Sequence, residues 1–327
     1  MAHVLRIATF NLENLDDKPG LIPGIEERSL ILRPQLLRLN ADVLCLQEVN
    51  AQQAVRHGPR ELRALDKLLG NTPYAAFHRV VSEARAHKGP SDVHNLVILS
   101  RFPVIEHRQY WHEFVPPPQW RSLTSQPPAQ IREDVVWDRP VLHAVLDIGN
   151  ARPLHVFNLH LRAALAAFIP GQKASRESWN SVPGWAEGFF LTGLKRAGQA
   201  LETRIAVDKL FDAESSALIA VCGDFNASGR ETPVRAIRAD VEDTGNAALA
   251  DRALTALERS LPEAKQFSVK HGGVPVLLDH LLVSKALAGW CRRAEIHNEG
   301  LHDELIEAGL ALPESFHAPV VAEFAIP

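Results

Sequence analysis

The strongest constraint on the fold is a set of short apolar runs that end in polar side chains. Five such runs finish in acidic, amide or histidine residues: 7–10 in Asn11, 43–46 in Gln47 and Glu48, 154–157 in Asn158 and His160, 220–222 in Asp224 and Asn226, and 276–278 in Asp279 and His280. A carboxylate at the end of a buried strand is costly unless it is paired or bound to metal. One such residue is ordinarily a solvated loop acid or a helix cap, but five strands that end this way indicate a shared site.

Strand-like runs recur along the whole chain, with helical patterns between some of them. The runs predicted as strands are residues 4–10, 43–47, 96–99, 141–146, 154–159, 218–222, 276–283 and 319–324. Apolar residues at helical spacing predict helices over residues 27–39, 61–69 and 195–211, and Pro34 indicates a kink or a helix that starts there. Strands near both ends and no linker between halves predict one mixed α/β domain over residues 1–327.

Two irregular segments, at about 110–140 and 162–193, are rich in tryptophan, proline and glycine. The first contains Trp111, Trp120 and Trp137, and the second contains Trp179 and Trp185. Long loops without structure of their own are usually functional when they occur inside a compact domain. We therefore expect both segments to border a site.

Composition argues against several classes of protein. The 327 residues carry a formal net charge of −4, so the overall charge does not indicate a nucleic-acid-binding surface. No apolar stretch approaches the roughly 20 residues that a membrane span needs. Cys45 and Cys222 lie in apolar runs, where buried thiols are expected, and with Cys291 they cannot form a disulfide framework. Because the first residues also lack the pattern of a signal peptide, we predict a reduced, cytoplasmic setting.

Six segments, in chain order, resemble motifs of the endonuclease/exonuclease/phosphatase superfamily. They are Thr-Phe-Asn-Leu-Glu at 9–13, Leu-Gln-Glu-Val at 46–49, Asn-Leu-His-Leu at 158–161, Gly-Asp-Phe-Asn at 223–226, Leu-Asp-His at 278–280 and Ser-Phe-His-Ala-Pro at 315–319. Any one of them is weak, but six in the family's order are specific. The resemblance implies a four-layer αββα sandwich, with two mixed β-sheets packed face to face and helices outside. It also implies metal-dependent hydrolysis of phosphoesters.

The resemblance implies a metal site that contains Glu48, Asn11 and Glu13. The family position matched by Glu48 binds Mg²⁺ directly, and Asn11 would support the metal or its waters. Glu13 stands where some members place a metal-associated acid, although a plain loop acid is almost as good an interpretation. Oxygen ligands without cysteine or clustered histidine suit Mg²⁺ or Mn²⁺ rather than zinc.

The same resemblance implies catalytic roles for five residues. Asp224 would orient and deprotonate the attacking water, and Asn226 would hold the phosphate or the same water. His317 would contact a phosphate oxygen or act as an acid or base, with Asp279 holding its imidazole in one tautomer. His160 would stabilise the developing charge from the other side.

One motif departs from the family pattern. The last motif normally reads Ser-Asp-His, and here Phe316 replaces the aspartate. Its loss predicts altered metal binding, which Glu13 could compensate, or a site tuned to another substrate. Asn95, which precedes a strand, is predicted to bind substrate. Arg139 and Arg162 could hold phosphate, but arginines at strand edges are more often solvated, so neither is assigned.

The sequence predicts a nuclease-like phosphodiester hydrolase and leaves the substrate open between two classes. Residues suited to DNA or RNA are the cations and aromatics Lys173, Arg176, Lys195, Arg196, Trp179 and Trp185. The negative net charge argues against extended DNA binding, which relies on many phosphate contacts. The alternative is a phosphatase or phosphodiesterase acting on a small or lipid-derived phosphoester. A non-catalytic binding protein that keeps the fold is less favoured, because the residues needed for chemistry are retained.

Overall fold

The fold was analysed in a computed structural model that describes residues 3–53, 55, 58–149, 152–175, 178–307 and 309–327. Within these residues the strands are β1 (His3–Leu15), β2 (Val43–Val49), β3 (Gln52–Gln53), β4 (Arg60–Glu61), β5 (His78–Val81), β6 (Asn95–Ser100), β7 (Val104–Tyr110), β8 (Gln119–Trp120), β9 (Glu133–Asp134), β10 (Val141–Leu146), β11 (Leu154–His160), β12 (Leu218–Asp224), β13 (Leu254–Ala256), β14 (Val269–His271), β15 (Val274–Val276), β16 (Asp279–Ser284), β17 (Cys291–Ile296) and β18 (Val320–Ile326).

Helices occupy fewer residues than strands and lie mainly between the long strands. The α-helices are α1 (Ile25–Leu39), α2 (Arg63–Leu69), α3 (Val182–Ala213), α4 (Thr232–Arg238), α5 (Val241–Thr244) and α6 (Lys285–Ala288). Short 3₁₀ helices span Pro73–Ala76, Ala247–Arg252, Leu257–Ser260 and Glu263–Lys265. Among the described residues, no helix combines the length and apolar character needed to cross a membrane.

Two six-stranded mixed sheets form the centre of the fold. The first has the order β17-β18-β1-β2-β6-β5, and the second has the order β13-β16-β12-β11-β10-β7. Each sheet has one parallel pair, β1–β2 or β11–β12, and its other neighbours are antiparallel. A parallel pair needs a crossover, which α1 supplies in the first sheet and α3 in the second. Because the first sheet joins strands from both ends of the chain, we propose that the chain is a single domain.

Burial divides the structure into four layers. Side chains from one face of each sheet, including Ile7, Cys45, Val156 and Cys222, form a shared core between the sheets. The other face of the first sheet packs on α1 and α2, and that of the second sheet packs on α3 and α4. This arrangement confirms the predicted αββα sandwich. Both core cysteines are buried free thiols, as predicted.

Three predicted elements differ from the structure. The strand expected over 276–283 divides into β15 and β16, with a break at 277–278. The helix α3 begins at Val182, so the irregular segment expected over 162–193 ends at residue 181. Ser181 caps α3 by accepting the N–H of Gly184, and proline follows in the first turn. Pro34 lies inside α1 and does not start it.

The other irregular segment, at about 110–140, is attached to α3 by a buried carboxylate. Glu202 has no exposed surface, and its two oxygens accept the backbone N–H groups of Glu113, Phe114 and Val115. Further along, β8 and β9 form a short antiparallel pair. The segment is therefore held against the second sheet's helix layer at a defined place.

Replacing Glu202 with alanine should destabilise the fold by about 2–3 kcal/mol, because three part-buried N–H groups lose their buried acceptor. Urea unfolding would measure the change in the free energy of unfolding. Asp212→Ala is the matched control on the same helix, since its ion pair with Arg252 is exposed and should contribute less than about 1 kcal/mol. Equal effects of the two substitutions would contradict an anchoring role for Glu202.

Candidate active site

The predicted site residues meet at one edge of the sandwich because of strand direction. Carboxyl ends of β1 and β2 lie together, as do those of β11 and β12. The strands antiparallel to them begin at that same edge. The residues brought there are Asn11, Glu48, His160 and Asp224 near the ends of the parallel strands, with Asp279 at the start of β16 and His317 just before β18. In the second sheet, Asp224 pairs in register with both His160 and Asp279.

The backbone at this edge is irregular. Register shifts interrupt the pairing of β1 with β2 after Asn11, and that of β2 with β6 after Leu46. Of nine described non-glycine residues with left-handed φ, five surround the site: Glu13, Asn14, Glu48, His94 and Asn226, with φ between 48° and 58°. Such conformations cost roughly 1 kcal/mol or more for most side chains and are concentrated at functional sites. The irregular backbone is therefore concentrated at the edge where the polar side chains meet.

Asp224 accepts more hydrogen bonds than the other carboxylates of the site. The Asn11 amide donates to Asp224 Oδ2 at 3.0 Å and to Glu48 Oε1 at 3.2 Å. Asn226 donates its backbone N–H to Asp224 Oδ1 at 2.8 Å, and its side chain bridges Asp224 Oδ2 and the Leu161 carbonyl. Asn226 therefore contacts Asp224 and the backbone. Burial, with the nearby carboxylate of Asp279, raises the pKa of Asp224 to about 7 although His317 opposes the rise.

The two histidines of the site have opposite electrostatic surroundings. Burial alone would lower the pKa of His317, but the carboxylates of Asp279 and Asp224 outweigh it and raise that pKa well above its ordinary value. Asp279 Oδ2 lies 2.8 Å from His317 Nδ1, a geometry suited to orienting the ring. Burial and the charge of Arg139 hold the pKa of His160 well below its ordinary value. The surroundings therefore favour the charged form of His317 and the neutral form of His160.

The side chains present fit a divalent cation. The ligand atoms of Glu48, His160 and Asp224 lie within 4.8 Å of one another, and so do those of Asp224, Asp279 and His317. Asp279 Oδ1 and His160 Nδ1 are buried without a hydrogen-bond partner among the described residues. A cation would relieve the repulsion between these carboxylates, which adds to burial in raising the pKa of Asp224.

Glu13 lies beside the position of the replaced aspartate. Its Oε2 accepts the backbone N–H of Phe316 at 2.7 Å, and its own N–H donates to Asn11 Oδ1. Burial raises the pKa of Glu13, although the Phe316 N–H and the charge of His317 lower it. Glu13 belongs to neither of the two ligand groups around Asp224. Its carboxylate therefore borders the site without joining those groups.

Asn95 does not direct its side chain into this cluster. Its amide donates to the Val49 and Ser91 carbonyls, and its oxygen accepts the Ser91 N–H. These bonds use the polar atoms of the side chain to hold the loop before β6. The prediction that Asn95 binds substrate is thus not supported by its geometry.

Two side chains that the sequence did not assign also reach the site. Arg139 donates to the carbonyl of His160 at 3.3 Å and to His94 Nδ1 at 2.9 Å, and its buried Nε has no hydrogen-bond partner within the described part of the chain. His94 Nε2 lies 2.8 Å from Asn14 Oδ1, while the Asn14 N–H donates to Glu48. Both residues come just before strands, β10 and β6, that begin at the site edge. Their position before an antiparallel strand is the signal that could have identified them.

Three of the four cations expected to hold nucleic acid have partners within the protein. Lys195 pairs with Asp138 at 2.7 Å, as does the unassigned Arg162, and Lys173 lies over the ring of Trp179 at 4.5 Å. Arg196 donates to the carbonyl of Asn226. Arg176 lies outside the described residues.

Comparisons with solved structures agree with the fold. Truncated TDP2 of Caenorhabditis elegans matches with a TM-score of 0.57 at 16% identity, covering 98% of this chain and 97% of that chain. An endonuclease/exonuclease/phosphatase family protein of Bacteroides thetaiotaomicron gives 0.59 at 13% identity, with 100% and 99% covered. A mannosyl-6-phosphatase of the same bacterium gives 0.56 at 14%, with 97% and 98% covered. At such low sequence identity, these matches show that the folds are similar and no more.

Comparison by sequence gives the family. A search of curated proteins found no match. The model of the Endonuclease/Exonuclease/phosphatase family matches residues 8–301, which is most of the chain. The matched span includes Asn11, Glu48, His160, Asp224 and Asp279, all brought to the same sheet edge. The chain therefore belongs to the endonuclease/exonuclease/phosphatase family of phosphoester hydrolases.

Proposed function

We propose that this protein hydrolyses phosphodiesters with the aid of a bound Mg²⁺ or Mn²⁺ ion. The observation that carries the proposal is the convergence of Glu48, Asp224 and Asp279 with His160 and His317 at one buried edge. Three carboxylates close together suit a hard divalent cation. The surroundings of the two histidines favour a charged His317 and a neutral His160, which suits separate roles in proton transfer and charge stabilisation.

Glu48 would hold the cation, with Asn11 and Glu13 supporting its environment. When bound, the cation supplies charge neutralisation at the phosphate and lowers the pKa of a coordinated water. Asn11 already touches both Glu48 and Asp224, so it fixes the distance between the two carboxylates. A buried carboxylate cluster of this kind is stabilised by a positive ion and destabilised without one.

Asp224 would accept the proton of the attacking water. Asn11 and Asn226 hold both of its oxygens in place. The water oxygen bonds to phosphorus as its proton passes to Asp224. The bond from phosphorus to the leaving oxygen breaks as the charged His317 gives that oxygen a proton. Asp279 keeps the His317 ring oriented throughout, and neutral His160 contacts the phosphate from the other side.

Arg139 is suited to bind a phosphate oxygen. Its side chain is half-buried beside His160 with Nε enclosed, and none of the described carboxylates lies within ion-pair distance of it, although Glu48, Asp138 and Asp224 are near enough to interact with its charge. A phosphate group would supply the anion that directly contacts this cation. We therefore add Arg139 to the proposed substrate-binding residues, with His94 supporting it.

The choice of substrate follows from the cations around the site. Nucleic-acid binding relies on cations that are free to meet phosphates. Lys195, Arg162 and Arg196 instead make internal contacts. This observation favours the second candidate, a phosphodiester of a small or lipid-derived molecule, over DNA or RNA. A cytoplasmic setting stays a prediction, consistent with the free thiols of Cys45 and Cys222.

Asp224→Asn and Glu48→Gln should each lower kcat for bis-p-nitrophenyl phosphate by roughly 10²–10⁴-fold, because one removes the base and the other the principal metal ligand. Initial rates with Mg²⁺ or Mn²⁺ measure the effect. Glu299→Gln is the matched control, an exposed acid paired with Arg38 away from the site, and should leave the rate unchanged. Full wild-type activity in excess chelator would rule out the metal mechanism.

Glu13→Gln should raise the metal concentration for half-maximal activity by roughly tenfold, since residues that support metal ligands commonly contribute this much. The substitution removes a negative charge beside Phe316, and that charge would favour binding of a cation. Adding Phe316→Asp to Glu13→Gln should restore much of the metal affinity. If Glu13→Gln leaves the metal titration unchanged, Glu13 does not compensate for the replaced aspartate.

A further inference from the structure

The first three turns of α3 have their polar and apolar faces reversed. In this part of the helix the buried positions are Gly184, Glu187, Gly188 and Thr192, whereas the exposed ones are Val182, Pro183, Trp185, Ala186, Phe189, Phe190 and Gly193. A helix on the surface of a globular protein normally turns its apolar face inward. Here the charged residue is buried, and two phenylalanines and a tryptophan face solvent.

A neighbouring loop extends this apolar surface. Residues 163–170 contain no polar side chain, and Leu165 and Phe168 are 71% and 68% exposed. The loop is fixed to the helix because Ala167 donates its N–H to the Gly188 carbonyl, and the Thr192 hydroxyl donates to that of Leu165. We call Leu165, Phe168, Val182, Trp185, Phe189 and Phe190 the apolar rim. Large exposed apolar surfaces usually mark interaction sites.

The packing of α3 prevents the apolar rim from turning inward. Glu187 accepts hydrogen bonds from the Trp120 indole, the Leu123 N–H and both the N–H and hydroxyl of Thr124. Burial alone would raise the pKa of Glu187, but these four bonds hold that pKa at about 2. A Cβ on Gly188 would lie 2.3 Å from the Ala167 carbonyl, so no larger residue fits there. The outward orientation is therefore built into the fold.

Hydrogen bonds connect α3, the helix that carries most of the apolar rim, to the proposed active site. Thr192, two residues beyond Phe190 on α3, accepts a hydrogen bond from Arg162, which lies two residues after His160. One turn further along α3, Arg196 donates to the carbonyl of Asn226. A molecule that spanned both surfaces would need a phosphodiester beside a substantial apolar part.

The chemistry of the apolar rim distinguishes between possible occupants. Interfaces between proteins carry about one hydrogen bond per 100–200 Å², yet the rim side chains offer only the indole N–H of Trp185. Hydrocarbon needs no hydrogen bonds from the surface that enters it. Helices with tryptophan and phenylalanine on one face are also typical of proteins that lie in the boundary layer of a bilayer.

We propose that the apolar rim inserts into a lipid bilayer and so brings the head-group phosphodiester of a membrane lipid to the active site. The docking follows from the reversed helix and the apolar loop. The identity of the phosphodiester rests on the proposed function. The bilayer supplies the apolar phase, while the lipid head group supplies the phosphate for Arg139 and the carboxylate-bound cation.

Flotation with phosphatidylcholine vesicles tests the docking. The wild-type chain should float with the vesicles, and Phe168→Ser/Phe189→Ser should reduce the bound fraction by about tenfold or more, because two exposed aromatic rings no longer enter hydrocarbon. Leu30→Ser/Ile105→Ser is the matched control, with exposed apolar residues on α1 and β7, and should float like wild type. All three proteins should unfold at the same temperature, since every substituted residue is exposed.

Each result supports or overturns the proposal. Absence of wild-type flotation at about 1 mM lipid, or equal flotation of the rim variant, would overturn it. A concentration-dependent dimer in sedimentation that the rim variant abolishes, without vesicle binding, would assign the apolar rim to a second copy and overturn the lipid proposal. Flotation by a protein that does not hydrolyse bis-p-nitrophenyl phosphate would retain the docking and reject the proposed function. Hydrolysis by a protein that does not float would retain the proposed function and reject the docking.

Discussion

A buried hydrogen bond between the two sheets fixes the geometry on which the site depends. Gln47 Nε2 donates to Asn158 Oδ1 at 2.7 Å, and neither side chain has exposed surface. Asn158 in turn donates to the carbonyls of Leu46 and Val97. Buried amides left unpaired would be costly, so sliding one sheet over the other is resisted. Since Gln47 precedes Glu48 and Asn158 lies two residues before His160, this bond also sets the separation of those two site residues.

At the site edge, next to that hydrogen bond, the fold brings carboxylates of like charge together. Some of the residues there adopt a left-handed backbone conformation. Glu48, Asp224 and Asp279 would repel one another if all were ionised without a counter-charge. Charged His317 and Arg139 reduce the repulsion, while the left-handed backbone at Glu48 and His94 stores strain that the surrounding hydrogen bonds sustain. Charge repulsion and backbone strain therefore lower the stability of the fold at the edge where the chemistry is proposed. This is expected of a site that is already arranged to bind a cation and a phosphate.

The sequence predicted what is local or repeated and missed what depends on contacts between distant segments. Strand-end residues such as Glu48 and Asp224 were identifiable because parallel strands bring their carboxyl ends to one edge. Arg139 was ambiguous because only the β10–β11 pairing places it beside His160. A substrate-binding role for Asn95 stays a prediction, and the loop hydrogen bonds that occupy its side chain could not be read from the sequence. The start of α3 was hidden by glycines and aromatics, although Ser181 and Pro183 form a recognisable helix start.

The reversed helix explains why an aromatic segment so near the site is rigid. A loop could have exposed the same rings, but it would lose conformational entropy on docking. In α3 this ordering has already occurred during folding, because Glu187 secures the 120–124 segment and Gly188 admits the neighbouring loop. The same helix then reaches the Asn226 carbonyl through Arg196. One continuous helix thus carries most of the surface proposed to dock and the contact to the loop after Asp224, so the fold links the position of the one to that of the other.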